Sequence, residues 1–293
     1  MITAGTKVVD VIDHPLFSGF GRLIFPTAFG RPDPAMTLRQ VGSLLLYHHC
    51  VRAETTVDVI RALLCERAQG RPLFYHIYSE QERTQDPAKR DTGLFFFPGK
   101  PGAPFVILCA GGAFYYVASI HESLPHALAL SRQGYNAFAL VYRTRDANAA
   151  CSDLARAIRF VFTHADELGV CTAGYSLWGG SAGARMAAYL GSYGTKAFGE
   201  GDFPRPGAVV MQYTGHTHYT RHDPPTYACV GGRDGIADWR VMKGRLDCME
   251  RLGIDTAFHL YSGMPHGFGL GIGTEAEGWL DEAVEFWCKH IKV

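Results

Sequence analysis

From Phe105 onward the chain carries short apolar runs, FVILC (105–109), FALVY (138–142), YSLWG (175–179), AVVMQ (208–212), YACVG (227–231) and AFHLY (257–261). Runs of this length without polar alternation predict strands buried on both faces. Between them the period changes. Leu154, Ile158, Val161, Ala165 and Leu168 recur at helical spacing, and Trp279, Ala283, Phe286 and Trp287 repeat the pattern. Alternating strand and helix predicts an α/β fold, a mostly parallel sheet with helices on both faces. In such sheets the loops at the carboxyl ends of the strands form the site.

The first 70 residues read differently. Leu38 to His48 and Val57 to Leu64 carry apolar residues at helical spacing, which predicts an N-terminal helical extension (1–70) ahead of the main domain (71–293). The polar stretch Glu80 to Thr92 separates two aromatic-rich runs and is expected to be a loop between two strands. A stretch preceding the core strands can fold over the carboxyl edge as a lid, so Tyr47, His48 and His49 are expected to reach a substrate.

Composition narrows the function. With 293 residues, 47% of them hydrophobic, the chain can bury a full core and is not a disordered or fibrous segment. Lys plus Arg and Asp plus Glu total 28 each, which removes the electrostatic reason to expect nucleic acid or an anionic membrane as partner. Eight dispersed cysteines without a C-x-x-C pair, no signal-like apolar run near Met1 and no stretch of membrane-spanning length predict a soluble, cytoplasmic protein.

The chemistry concentrates at Gly179-Gly180-Ser181-Ala182-Gly183, which follows the YSLWG run and opens the small-residue stretch ARMAAYLG. A serine on a tight strand-to-helix turn needs glycine two residues before and after, since side chains there would meet neighbouring backbone. The alternative is a helix-capping Ser181. After FVILC comes Cys109-Ala110-Gly111-Gly112-Ala113-Phe114, whose small residues let backbone N–H groups approach a reacting carbon. Gly112, Ala113 and Ala182 are the candidate oxyanion donors, against the plainer reading of a strand-to-loop turn. Phe114 and Tyr115 are candidate substrate contacts, or pack with Tyr116 against the extension.

A serine hydroxyl is a weak nucleophile and needs an imidazole to take its proton and a carboxylate to orient that imidazole. Asp234, after YACVG, and His266, after AFHLY, stand where strand ends would bring them to Ser181. Asp238 is the rival acid, or the cap of a helix starting near Trp239, and His259 the rival base, inside a strand run. Gly191-Ser192-Tyr193-Gly194 lacks the nucleophile spacing and reads as a helix stop. His216, His218 and His222 lack a carboxylate or thiol at ligand spacing, so no metal is expected.

These motifs resemble the alpha/beta-hydrolase superfamily, within it the esterase and lipase branch that includes hormone-sensitive-lipase-like and acetyl-xylan-esterase-like enzymes. The resemblance runs from Leu94 to Val293 and rests on AGGAF, VYR (141–143), SDLARAIRFVFTHADELG, GGSAGA, GGRD and PHGF in that order. It implies an eight-stranded, mostly parallel sheet and no cofactor. It also implies Ser181 as nucleophile, His266 as base and acid, Asp234 as orienting acid and Gly112 with Ala113 as donors. The sequence departs from the family's HGGG pattern, with Ala110 at the His position and Ala113 at the third Gly. The implied substrate is a small-molecule carboxylic ester with a short acyl group such as acetyl. A peptidase or amidase on the same scaffold, or a non-catalytic ligand-binding protein, stays open, as does a homo-oligomer.

Overall fold

The computed structural model describes residues 1–291. Its strands are β1 (Phe74–His76), β2 (Gly93–Phe97), β3 (Pro104–Cys109), β4 (Asn136–Val141), β5 (Cys171–Gly180), β6 (Ala208–Gln212), β7 (Thr226–Gly231) and β8 (Thr256–Tyr261). They form one eight-stranded sheet in the order β1-β2-β4-β3-β5-β6-β7-β8. The β1–β2 and β2–β4 pairs are antiparallel, and every later pair is parallel. The six apolar runs from FVILC to AFHLY thus become β3 to β8. The two aromatic runs flanking the polar stretch become β1 and β2.

The helices are α1 (Val8–Ile12), α2 (Ala53–Ala68), α3 (Glu80–Gln85), α4 (Ser123–Arg132), α5 (Ala147–Thr163), α6 (Ala165–Leu168), α7 (Ala182–Tyr193), α8 (Trp239–Arg251) and α9 (Trp279–Cys288). They cover both sheet faces. Trp178 of β5 packs against Trp279 and Trp287 of α9, and His126 of α4 meets the Trp279 ring edge-on. Three residues back along β5, Tyr175 points the opposite way by strand alternation and meets Phe162 of α5. The motif residues Arg143 and Asp153 also prove structural. The Asp153 carboxylate accepts from the Arg143 amide at 2.7 Å and from the Tyr78 hydroxyl at 2.6 Å, tying the end of β4 to α5.

Three local expectations differ from what forms. Glu80 to Thr92 is α3 followed by a 3₁₀ turn (Pro87–Asp91), because Ser79 and Glu82 form a capping box and Asp86 caps the turn. Leu38–Leu44 winds as a 3₁₀ helix, and the chain leaves it before His48. The period through Leu168 is broken at His164, where the backbone kinks and separates α5 from α6. The buried apolar cluster is continuous from Val8 to Trp287, so residues 1–70 share the core of the sheet domain.

Candidate active site

β5 ends at Gly180 and α7 begins at Ala182, leaving Ser181 alone in the turn with φ 51° and ψ −114°. A non-glycine residue in that region is strained, and neighbours must enforce it. The Ser181 amide donates to Gln212 O of the adjacent β6 at 2.9 Å, which pins the turn to the sheet. The flanking glycines are required sterically. A Cβ on Gly183 would overlap the Cys109 carbonyl, and one on Gly179 would overlap the Gly183 backbone. Ser181 does not cap α7, since its side chain makes no capping bond.

Three strand ends then converge. His266, in the loop after β8, places Nε2 3.1 Å from Ser181 Oγ and Nδ1 2.7 Å from Asp234 Oδ2. Asp234, after β7, accepts at Oδ1 from the amides of Ile236 (2.8 Å) and Ala237 (2.7 Å), which fixes its orientation. The Asp234 and His266 side chains are buried, while Ser181 remains partly open to solvent. A carboxylate that accepts from Nδ1–H leaves Nε2 unprotonated toward the hydroxyl, the arrangement a general base needs. Asp238 instead caps α8 by accepting from the Arg240 amide at 2.9 Å. His259 lies in β8 beside Glu282 at 3.1 Å, away from Ser181.

The loop after β3 faces this constellation. Gly112, Ala113 and Phe114 all have positive φ (125°, 54° and 56°), and a Cβ on Gly111 would lie 2.9 Å from Ser181 Cβ. The amides of Gly112 and Ala113 donate to no group among the described residues. Ala182, in the first turn of α7, has no partner four residues back in the helix. Free N–H groups beside a nucleophile can receive a developing oxyanion. Phe114 packs across Tyr142, whose hydroxyl donates to Ala110 O at 2.7 Å. Tyr115 and Tyr116 meet Phe29 of the N-terminal segment, at ring separations of 5.7 and 5.6 Å, and Tyr115 stays exposed.

The N-terminal segment also packs against the loops of the site. His49 Nδ1 donates to His266 O at 2.7 Å, and its amide donates to Gly267 O at 2.9 Å. His48 is buried, with Nδ1 3.0 Å from the Tyr116 hydroxyl and Nε2 2.9 Å from Glu122 Oε1. His121 Nε2 also donates to Gly267 O, at 3.0 Å, while Gln212 and Trp279 donate to Gly269 O at 3.1 and 3.0 Å. The loop carrying His266 is therefore clamped from four elements. Desolvation holds His121 and His126 down to about 4, so both rings are neutral at neutral pH.

Sequence reasoning missed Glu122 and Tyr213. Glu122 is fully buried, accepts from the Gly111 amide and, at 2.9 Å, from the Tyr213 hydroxyl. Burial pushes its carboxyl up, but His48 beside it and the Gly111 N–H outweigh that and hold it at about 2. The available signal was an acidic residue in the otherwise buried stretch VASIHESLPHALAL. His216 and His218 stack on one another at 5.8 Å with Tyr189 against them. No group of three or more His, Cys, Asp or Glu among the described residues could hold a metal, and no described helix is long and apolar enough to cross a membrane.

Sheet order, the strained serine turn and the Ser181–His266–Asp234 chain define the fold as that of the alpha/beta-hydrolase superfamily. Residues 97–226 match the model of the BD-FAE family. An acetyl ester-xyloside bifunctional hydrolase from Caldicellulosiruptor lactoaceticus superposes with a TM-score of 0.66 at 21% identity, over 74% of this chain and 95% of that one. An esterase from the Planctomycetes species Thermogutta terrifontis gives 0.63 at 19% identity, over 74% and 91%. MGS-M1, an alpha/beta hydrolase from a Medee basin deep-sea metagenome library, gives 0.61 at 20%, over 69% and 93%. None of the curated proteins matches the chain.

Proposed function

We propose that this protein is a serine hydrolase of carboxylic esters with short acyl groups such as acetyl, working through an acyl-enzyme on Ser181. The observation that carries the reading is the unbroken chain from Ser181 Oγ through His266 to Asp234, at 3.1 and 2.7 Å, beside the unpaired amides of Gly112 and Ala113. His266 Nε2 takes the hydroxyl proton as Oγ attacks the ester carbonyl, and the amides of Gly112, Ala113 and Ala182 receive the oxyanion. The alcohol leaves with the proton from His266. Water, deprotonated by the same ring, then releases the acid and restores Ser181.

The short-acyl preference draws support from the similar structures, one an acetyl ester-xyloside bifunctional hydrolase and another, the Thermogutta terrifontis esterase, described with propionate bound. That esterase has also been described phosphorylated by paraoxon, the chemistry expected of an activated nucleophile. Two measurements test the reading. A fluorophosphonate probe is expected to label the wild-type protein and not Ser181→Ala, and kcat/KM on p-nitrophenyl esters is expected to fall as the acyl chain lengthens from acetyl to octanoyl. An unlabelled wild-type protein that hydrolyses none of these esters overturns the proposal, and faster turnover of peptide amides than of esters reassigns it to a peptidase.

A further inference from the structure

Besides Asp234, a second buried carboxylate lies near Ser181, that of Glu122 at the start of α4, and the relay makes no use of it. Its surroundings are specific. One oxygen, Oε2, accepts from the amide of Gly111, the residue just before the candidate oxyanion donor Gly112 in the loop after β3. The other, Oε1, accepts from the Tyr213 hydroxyl at 2.9 Å, and Tyr213 stands at the carboxyl end of β6 with its ring 4.9 Å from that of His266. His48 Nε2 lies 2.9 Å from the same Oε1, off the axis of a linear hydrogen bond. The carboxylate also fills the space beside Gly180, where an added Cβ would stand 2.6 Å from Oε2. The residue before Ser181 is thus glycine because Glu122 occupies the place a side chain would take.

We propose that Glu122 is a positioning residue for the reaction at Ser181: its carboxylate ties the oxyanion loop, the serine turn and Tyr213 to one point, and thereby aims the Gly112 and Ala113 amides. This rests on the ester-hydrolase reading. The physical argument concerns strain. Gly112, Ala113 and Phe114 occupy the left-handed region in succession, a conformation that persists only where neighbours over-determine it. Gly111 directly precedes these three residues, and its N–H is anchored to a charged acceptor, a stronger bond than one to a neutral carbonyl. Loss of that charge frees the Gly111 peptide plane to rotate, and the two donor amides beyond it rotate with it. Substrate contacts are not involved, so the loss falls on turnover and not on binding.

The test is Glu122→Gln, which keeps the volume and one acceptor oxygen while removing the charge, assayed on p-nitrophenyl acetate beside wild type and Ser181→Ala. A residue that only filled space would tolerate this change. The expected result is a folded variant whose kcat falls about 10², the scale of a lost oxyanion donor, with KM within threefold of wild type. Its affinity for an alkyl trifluoromethyl ketone, which forms the oxyanion on the serine, is expected to fall in parallel. A folded variant with kcat within threefold of wild type, or with only KM raised, overturns the proposal. Should Glu122→Gln not fold, Tyr213→Phe carries the test, because it removes one donor to the carboxylate and leaves Glu122 in place. A tenfold fall in kcat supports the positioning role, and a smaller one overturns it. Wild-type protein that turns over no ester and leaves Ser181 unlabelled overturns the hydrolase reading itself, an outcome separate from an active wild type beside an equally active Glu122→Gln.

Discussion

Asp234→Asn isolates the orienting carboxylate with little structural disturbance. Asp234 Oδ1 accepts from the amides of Ile236 and Ala237, and an asparagine carbonyl oxygen can keep both bonds. The new NH2 group then faces His266 Nδ1, which the carboxylate had engaged at 2.7 Å. Two donors cannot face each other, so the ring adopts the tautomer protonated at Nε2 and presents N–H to Ser181 Oγ, 3.1 Å away. It can no longer accept the hydroxyl proton. The corresponding change in serine proteases lowers kcat about 10⁴, which at about 1.36 kcal/mol per decade is about 5.5 kcal/mol of lost transition-state stabilisation. The assay is steady-state hydrolysis of p-nitrophenyl acetate, with thermal unfolding to show that the variant is folded. Asp238→Asn is the control: Asn also caps helices, and the bond from the Arg240 amide survives, so kcat is expected to stay within twofold. A folded Asp234→Asn retaining more than a tenth of wild-type kcat, or an Asp238→Asn that is the more damaged of the two, would refute the assignment.

Two further outcomes follow from burial. His121 and His126 protonate near 6.5 in the unfolded chain but only near 4 in the folded one, so between those values the unfolded state binds more protons and stability falls as pH drops. By pH 5 the loss is about 2 kcal/mol per histidine, and Glu122, held at about 2, adds a further loss of the same sign below its ordinary 4.5. Urea unfolding at pH 7.5, 6 and 5 checks this, and a flat profile would show that these rings are not desolvated. Gly183→Ala drives a Cβ into the Cys109 carbonyl, and the overpacking should cost at least about 2 kcal/mol, seen as a Tm lowered by about 4 °C or more. An unshifted Tm would mean that the turn relaxes freely.

The sheet could be read from sequence because β3 to β8 each contain an apolar run, and strands covered on both faces, as β4, β6 and β7 are, have no other way to be written; the expectation of two-sided burial fails for β8, which is only half-buried because it ends the sheet and has one neighbour. The serine turn was equally readable: the α7 backbone excludes a side chain at Gly179 of β5, the Cys109 carbonyl of β3 excludes one at Gly183, and both exclusions leave glycine in the sequence. Asp234 could be preferred over Asp238 because one sits at a strand's end and the other just before an amphipathic helix, where it caps α8. The polar stretch Glu80 to Thr92 was misread because hydrophobic period carries no signal in so short a helix, whereas its capping box does.

What the chain by itself determined, then, is the order of strands and helices and the identity of the residues at their ends. The sheet's pairing order and its burial decided the rest. Glu122, Tyr213 and His48 lie 91 and 74 residues from one another along the chain in the two pairings that meet at Glu122 Oε1, and only packing brings them together. The support of His266 by His49, 217 residues away, is of the same kind. Sequence patterns report which face of an element is apolar. They do not report which buried polar group meets which, because that depends on a third dimension in which distant segments satisfy one another's hydrogen bonds.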